Sequence, residues 1–235
     1  MSKEILELSK ALSNDIKSGN SFQVRERKCV SKSYVLFKRI IDIVLSILGL
    51  IIASPVFLLI TIFYLFGESK GPLVFKQQRY GEKGNKFDIY KIRSMVVNAD
   101  ERLKANKQLY KKYLQNNYKL EQWEDPRITK IGRFLRKTSL DELPQLINVL
   151  KGDMSIVGPR PVVEEEIKEY RHFKDDFLSV KPGITGFWQI SGRSNVGYPE
   201  RVELELYYVY HQSLLLDIKI ILKTIIVVIF KKGAY

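Results

Sequence analysis

The chain is poor in the side chains on which most redox, hydrolytic and zinc chemistry depends. Its 235 residues include one cysteine, Cys29, and two histidines, His172 and His211. A lone cysteine permits no internal disulfide, no redox pair and no zinc ligand set. Neither histidine lies in a recognisable metal or triad signature, so both are expected to be surface or satisfied structural residues. The glycine-rich stretch Gly81-Glu82-Lys83-Gly84-Asn85 is not a Walker phosphate loop. Zinc-finger, RNA-recognition and basic-zipper patterns are missing as well, which argues against nucleic acid as the partner. Acidic residues are in deficit: 26 Asp and Glu face 39 Lys and Arg, a formal charge of +13. That balance favours an anionic partner, and with nucleic acid disfavoured the remaining classes are an anionic membrane surface and a phosphorylated substrate.

Long apolar runs, by contrast, are present. From Ile40 to Phe66 the sequence is almost continuously apolar, broken by Asp42 near its start and by Ser46, Ser54 and Thr61. This exceeds the roughly 20 residues needed to span a bilayer. Two features argue against a simple crossing. Ser54-Pro55 falls in the middle, and basic residues flank both ends, Lys32, Lys38 and Arg39 before and Lys70, Lys76 and Arg79 after. Positive flanks tend to stay cytoplasmic. Pro55 lacks an N–H and crowds the preceding turn, while the Ser54 hydroxyl can satisfy a carbonyl that the proline frees. The pattern suggests a re-entrant helix-break-helix returning to the cytoplasmic side; a kinked single span is the alternative. Leu214 to Phe230 is a second apolar run, interrupted by Asp217, Lys219 and Lys223. It suits an interfacial helix or, equally, a core helix of the soluble part. Residues 1–20 pattern as a short amphipathic helix rather than a cleavable signal.

Leu73 to Tyr80 and Lys86 to Ile92 alternate enough for a β-hairpin, and Ala99 to about Trp123 has the period of a surface helix. Chemistry is expected from four places. Asp141-Glu142 follows a basic stretch, Arg127, Lys130, Arg133, Arg136 and Lys137, and precedes an apolar helical pattern. Ser139 with Glu142 has the spacing of a capping box, although Pro144 would then sit inside the helix. A carboxylate at a helix start among arginines would be held ionised, which suits a nucleophile or metal ligand better than a proton donor. In Gly158-Pro159-Arg160-Pro161, Pro159 and Pro161 stiffen the backbone around Arg160, either as a rigid phosphate contact or as a plain turn before a helix. Lys91 and Arg93, one residue apart at the end of the second strand, could hold a diphosphate or form a solvated face. Lys181 to Gln189 reads as a turn and short strand, with Trp188 available for stacking or for the core.

In this order the motifs resemble the bacterial sugar transferase family, the monotopic polyprenyl-phosphate hexose-1-phosphate transferases. The resemblance runs from about Tyr34 to Tyr235. It is carried by Ser54-Pro55, Gln78-Arg79-Tyr80-Gly81, Lys91-Ile92-Arg93-Ser94-Met95, Asp125-Pro126-Arg127-Ile128-Thr129, Thr138-Ser139-Leu140-Asp141-Glu142-Leu143-Pro144-Gln145, Gly158-Pro159-Arg160-Pro161 and Pro182-Gly183-Ile184-Thr185-Gly186. It resembles the catalytic part of longer members, without their N-terminal membrane bundle.

The resemblance implies an α+β fold, mainly helical with a small β-hairpin, on a monotopic re-entrant anchor. It divides the chain into an N-terminal extension (1–33), a membrane hairpin (34–68) and a catalytic domain (69–235) at the cytoplasmic face of the inner membrane. Asp141 would attack the sugar-linked phosphate of a UDP-hexose, galactose before glucose as first guesses, and undecaprenyl phosphate would accept the phosphosugar. Glu142 would bind Mg²⁺. Lys91, Arg93, Arg136 and Arg160 would hold phosphates, with Gly186, Arg193, Pro159 and Pro161 as further candidates on the nucleotide side. Membrane lipid is an implied partner; a homodimer is compatible with the resemblance but not specified by it.

Overall fold

A computed structural model of the chain describes residues 30–65, 69–115, 120, 123–192 and 196–229. Helix α1 (Lys32–Phe63) is followed by an antiparallel hairpin of β1 (Val74–Tyr80) and β2 (Lys86–Ile92), paired in register from Val74 opposite Ile92 to Tyr80 opposite Lys86. Two short helices, α2 (Ala99–Ala105) and α3 (Lys107–Gln115), divide what the sequence suggested as one surface helix. Then come α4 (Lys130–Thr138), a 3₁₀ turn Leu140–Glu142, α5 (Gln145–Lys151), β3 (Ser155–Val157), single helical turns between 164 and 177, β4 (Gly183–Thr185), the turn Phe187–Ser191, α6 (Glu200–Tyr210) and α7 (Leu214–Ile229). The fold is mainly helical with a small hairpin, as expected. The parallel pairing of β3 with β4 was not anticipated.

Among the described residues, α1 is the one helix long and apolar enough to cross a membrane. The two-segment form expected of it is not what is observed: the helix runs unbroken through Pro55. The reason is local. Pro55 cannot donate to the Ile51 carbonyl, and the Ser54 hydroxyl donates to that carbonyl instead, at 2.8 Å. One stripe of α1, Tyr34, Asp42, Ser46, Ala53 and Ile60, is buried at helical spacing, and Tyr64 just beyond continues it. Gly49 lies on the same stripe, where a Cβ would come within 2.9 Å of the Leu146 side chain. The opposite faces leave large apolar side chains exposed, Ile51, Ile52, Leu58 and Leu59 among them.

Both ends of this helix are tied to the rest of the molecule. At the start, Lys38 Nζ meets Asp217 at 2.9 Å and the Val157 carbonyl at 2.9 Å, and the Tyr34 hydroxyl donates to Asp217 at 3.0 Å. Asp42, buried, accepts from the Ser155 hydroxyl at 2.9 Å and the Ile156 N–H at 2.8 Å. At the far end Ile60 and Tyr64 pack with Ile92 and Leu135, and the Tyr64 hydroxyl donates to the Arg93 carbonyl. The acidic residues that interrupt the apolar runs therefore turn inward to polar partners, as charges in apolar segments must. Helix α7 combines the two roles left open by the sequence: Asp217 and Ile220 are buried, while Leu215, Ile218, Leu222, Ile225 and Ile226 are exposed.

Candidate active site

The Asp141-Glu142 pair sits on the 3₁₀ turn Leu140–Glu142, between α4 and α5. The capping box for which Ser139 and Glu142 have the spacing is absent. Ser139 adopts φ 57 and ψ 18, ends α4 in the left-handed conformation and makes no side-chain cap, and Pro144 stands just before α5 rather than inside it. Helix α4 runs on to Thr138, so Ser139 serves as its C-cap and cannot open the next helix.

The platform around this turn is built by the sequence motifs. Asp125 and Arg127 form a buried fork, Nε to Oδ1 and Nη2 to Oδ2 both at 2.8 Å, and Thr129 caps α4 by accepting from the Gly132 N–H at 3.0 Å. Val96 N–H donates to the Arg127 carbonyl at 2.8 Å, so the segment after β2 is pinned to the start of α4. Arg136 Nε then reaches the Ser94 hydroxyl at 2.8 Å. Fully buried Asn148 on α5 clasps β2 by accepting from the Tyr90 N–H at 3.0 Å and donating to the Asp88 carbonyl at 2.8 Å. It supplies both hydrogen bonds that a neighbouring strand would, and so sets Lys91 opposite the carboxylate turn.

Lys91 Nζ meets Glu142 Oε1 at 3.0 Å, and Arg160 Nη1 approaches the same oxygen at 3.8 Å. These residues line a cleft with Arg79, Gln145, Pro161, Gly183 and Gln189. Burial, and then the Glu142 charge, push the Asp141 carboxyl above its usual range, against the opposing pull of Lys91 and Arg136. From the sequence, a helix start and nearby cations are expected to hold this carboxylate ionised. The helix start is not there, and desolvation outweighs the cations. Across the cleft the positive charge is dense: burial and then Arg160 lower the Arg79 guanidinium to about 10.

Of the sequence candidates, Lys91, Glu142, Arg160 and Pro161 line the cleft, and Asp141 and Arg136 lie close enough to perturb each other's charge. Arg93 is corrected. Its guanidinium donates to the carbonyls of Pro72 at 2.8 Å, Met95 at 2.9 Å and Ser69 at 2.6 Å, so it fastens backbone and does not line the cleft. Strand β2 ends at Ile92, and beyond it the two cations no longer share a pleated face. Gly186 has a packing reason: a Cβ there would lie 2.1 Å from the Gly158 carbonyl oxygen. The Pro159 carbonyl accepts from Gly183 N–H at 2.8 Å, which joins the Pro159-Arg160-Pro161 turn to β4. Arg193 lies outside the described residues. Trp188 is half-buried, with its ring facing Arg201 at 4.5 Å and Arg160 at 5.9 Å.

A second layer of charge behind the cleft was not foreseen. Arg201 reaches Glu166 at 3.2 Å and Glu205 at 3.7 Å, and Glu166 also meets Arg79 at 3.3 Å. Arg201 and Glu205, four residues apart on α6, have the spacing of an ordinary surface pair, and only their apolar neighbours Val202, Leu204 and Leu206 signal that this helix is buried.

The bacterial sugar transferase family model matches residues 33–231. The undecaprenyl-phosphate galactose phosphotransferase of Salmonella typhimurium is 48% identical over 213 residues, 89% of this chain and 44% of that protein. The exopolysaccharide production protein ExoY of Sinorhizobium fredii is 44% identical over 84% of this chain and 88% of its own length. The UDP-glucose:undecaprenyl-phosphate glucose-1-phosphate transferase of Escherichia coli is 42% identical over 85% of this chain and 42% of that protein. The chain thus spans less than half the length of the Salmonella and Escherichia proteins and most of ExoY. A cationic cleft around a carboxylate pair, beside a helix long and apolar enough for a bilayer, is matched by likeness along nearly the whole sequence: the chain belongs to the bacterial sugar transferase family.

Proposed function

We propose that the chain transfers hexose-1-phosphate from a UDP-hexose to undecaprenyl phosphate at the cytoplasmic face of the inner membrane, through an aspartyl-phosphosugar intermediate. The observation that carries this reading is the Asp141-Glu142 turn, facing Lys91 and Arg160 across one cleft, with Glu142 Oε1 at 3.0 Å and 3.8 Å from them. Two anions must meet for the reaction to occur, and a cleft of this charge lowers their repulsion.

In the first step an Asp141 carboxylate oxygen bonds to the sugar-linked phosphorus. The bond from that phosphorus to the bridging oxygen breaks, and UMP leaves with the electron pair. In the second, an oxygen of undecaprenyl phosphate bonds to the same phosphorus and the Asp141 oxygen departs, which restores the carboxylate and forms the lipid diphosphate. Arg160 and Lys91 hold the phosphates in line. Arg136 opposes protonation of Asp141, since its charge favours the carboxylate.

Among the described residues no group of three His, Cys, Asp or Glu could cage a metal. Glu142, whose carboxylate lines the cleft, fits Mg²⁺, which binds through one or two carboxylates and completes its shell with substrate phosphates and water. When bound, Mg²⁺ would offset charge on the departing UMP. The membrane course is part of the same reading. Helix α1 spans about 48 Å at the usual rise for its 32 residues, yet both ends contact residues of 69–229. That supports a monotopic anchor, held against the rest of the chain at both ends, over a crossing that parts the two ends.

Names of relatives include both galactose and glucose carriers. A panel of UDP-sugars assayed for UMP release with undecaprenyl phosphate in detergent tests the proposal. UDP-galactose or UDP-glucose is expected to be turned over, and inactivity towards the whole panel contradicts it.

A further inference from the structure

The Pro159-Arg160-Pro161 turn has one backbone N–H, because both prolines lack theirs. That single donor goes to Glu205 Oε1 at 3.1 Å. Glu205 is fully buried on α6, and burying a carboxylate is costly unless its partners need it. The carbonyls on either side are held too: Pro159 accepts from Gly183 N–H at 2.8 Å, and Pro161 from Arg79 Nη1 at 3.4 Å.

Resting on the proposed reaction, we infer that Glu205 is a positioning residue for Arg160: it fixes the turn through the Arg160 amide, so that the guanidinium enters the cleft beside Glu142 in one place. The groups facing Glu205 are consistent with this use. Arg201 Nε lies 3.7 Å away, and Arg201, Arg160, Glu166, Tyr170 and Tyr198 carry the charges and dipoles coupled to it. Among the described residues its second oxygen, Oε2, has no hydrogen-bond partner, so the amide contact is the one directed bond seen there for this carboxylate. The carboxylate does not touch Glu142; its route to the cleft is through Arg160.

The test is a double-mutant cycle on the full chain in detergent, read by calorimetric UDP binding and by KM for UDP-galactose in UMP release. Glu205→Ala is expected to weaken UDP binding and raise KM about tenfold, the scale of one lost buried hydrogen bond, with kcat changed less. Glu205→Gln, whose amide oxygen still accepts from the Arg160 N–H, is expected to stay close to wild type. In an Arg160→Ala background, Glu205→Ala is expected to add nothing, because the group it positions is gone. If Glu205→Ala does not fold, Glu205→Leu fills the volume without an acceptor and takes its place in the cycle.

The same factor in both backgrounds, or no effect in the wild-type background, overturns the inference. UDP binding without UMP release from any UDP-hexose contradicts the proposed reaction, and the Glu205 assignment is then decided by the binding cycle. Failure of the wild-type chain to bind UDP overturns both.

Discussion

Arg93 and Arg160 are both arginines in short motifs, and the structure gives them opposite work. Arg93 joins three backbone carbonyls, whereas Arg160 points its guanidinium at Glu142. Replacing Arg93 with Ala leaves three acceptors without their donors and is expected to cost on the order of 3 kcal/mol of stability. Replacing Arg160 with Ala should shift Tm little and raise KM for the UDP-sugar; equal thermal shifts for the two variants contradict the division. The sequence could not separate them, because both read as exposed cations near a turn and only the path of the chain after Ile92 decides. Glu205 carries a pH signature of its own. Burial raises its carboxyl from the ordinary value near 4.5 to about 7, opposed by Arg201 and Arg160. Since the folded chain keeps this proton longer than the unfolded one, the benefit to folding is complete below pH 4.5 and is lost as pH rises towards 7. The Glu205→Gln variant lacks that loss. Its stability relative to wild type is expected to rise by on the order of 3 kcal/mol between about pH 4 and about pH 8, measured by chemical denaturation; parallel curves contradict the assignment.

The elements most legible in the sequence were those with a strong period: the hairpin, the apolar helix and the amphipathic C-terminal run. The β3–β4 pair was legible only in part, since each strand is three residues long and its partner lies far along the chain. The carboxylate turn stays ambiguous in the sequence because Ser139 and Glu142 have capping-box spacing and Pro144 argues against it, while the preceding helix claims Ser139 for its own end. Ser139 is a non-glycine residue at φ 57, so Ser139→Gly is expected to stabilise by up to about 1 kcal/mol and Ser139→Val to destabilise, as thermal unfolding would report. Helices α1 and α7 are tied by Asp217, which meets Lys38 and accepts from the Tyr208 hydroxyl at 2.8 Å. Removing it by Asp217→Ala leaves the Lys38 ammonium uncompensated and is expected to cost on the order of 3 kcal/mol. A neutral result in denaturation would show that the tie contributes little.

At the scale of the molecule, α1 and α7 leave apolar side chains exposed while the cleft gathers cations, an arrangement that suits the proposed transfer from a nucleotide sugar to a lipid phosphate. Residue types and motif order announced the cleft. The charge layer behind it stayed hidden because it is assembled by α6, remote in sequence from Arg79 and Arg160. For the monotopic anchor, Cys29 and a cysteine introduced by Lys83→Cys are expected to react with an impermeant reagent from the same side of sealed vesicles; reaction from opposite sides contradicts it. The central claim concerns Asp141 itself. Mass spectrometry of the full chain incubated with UDP-galactose or UDP-glucose and no lipid acceptor should find one hexose phosphate on the peptide carrying Asp141, with one equivalent of UMP released and neither from Asp141→Asn. Full UMP release and lipid product from the Asp141→Asn variant would contradict the account.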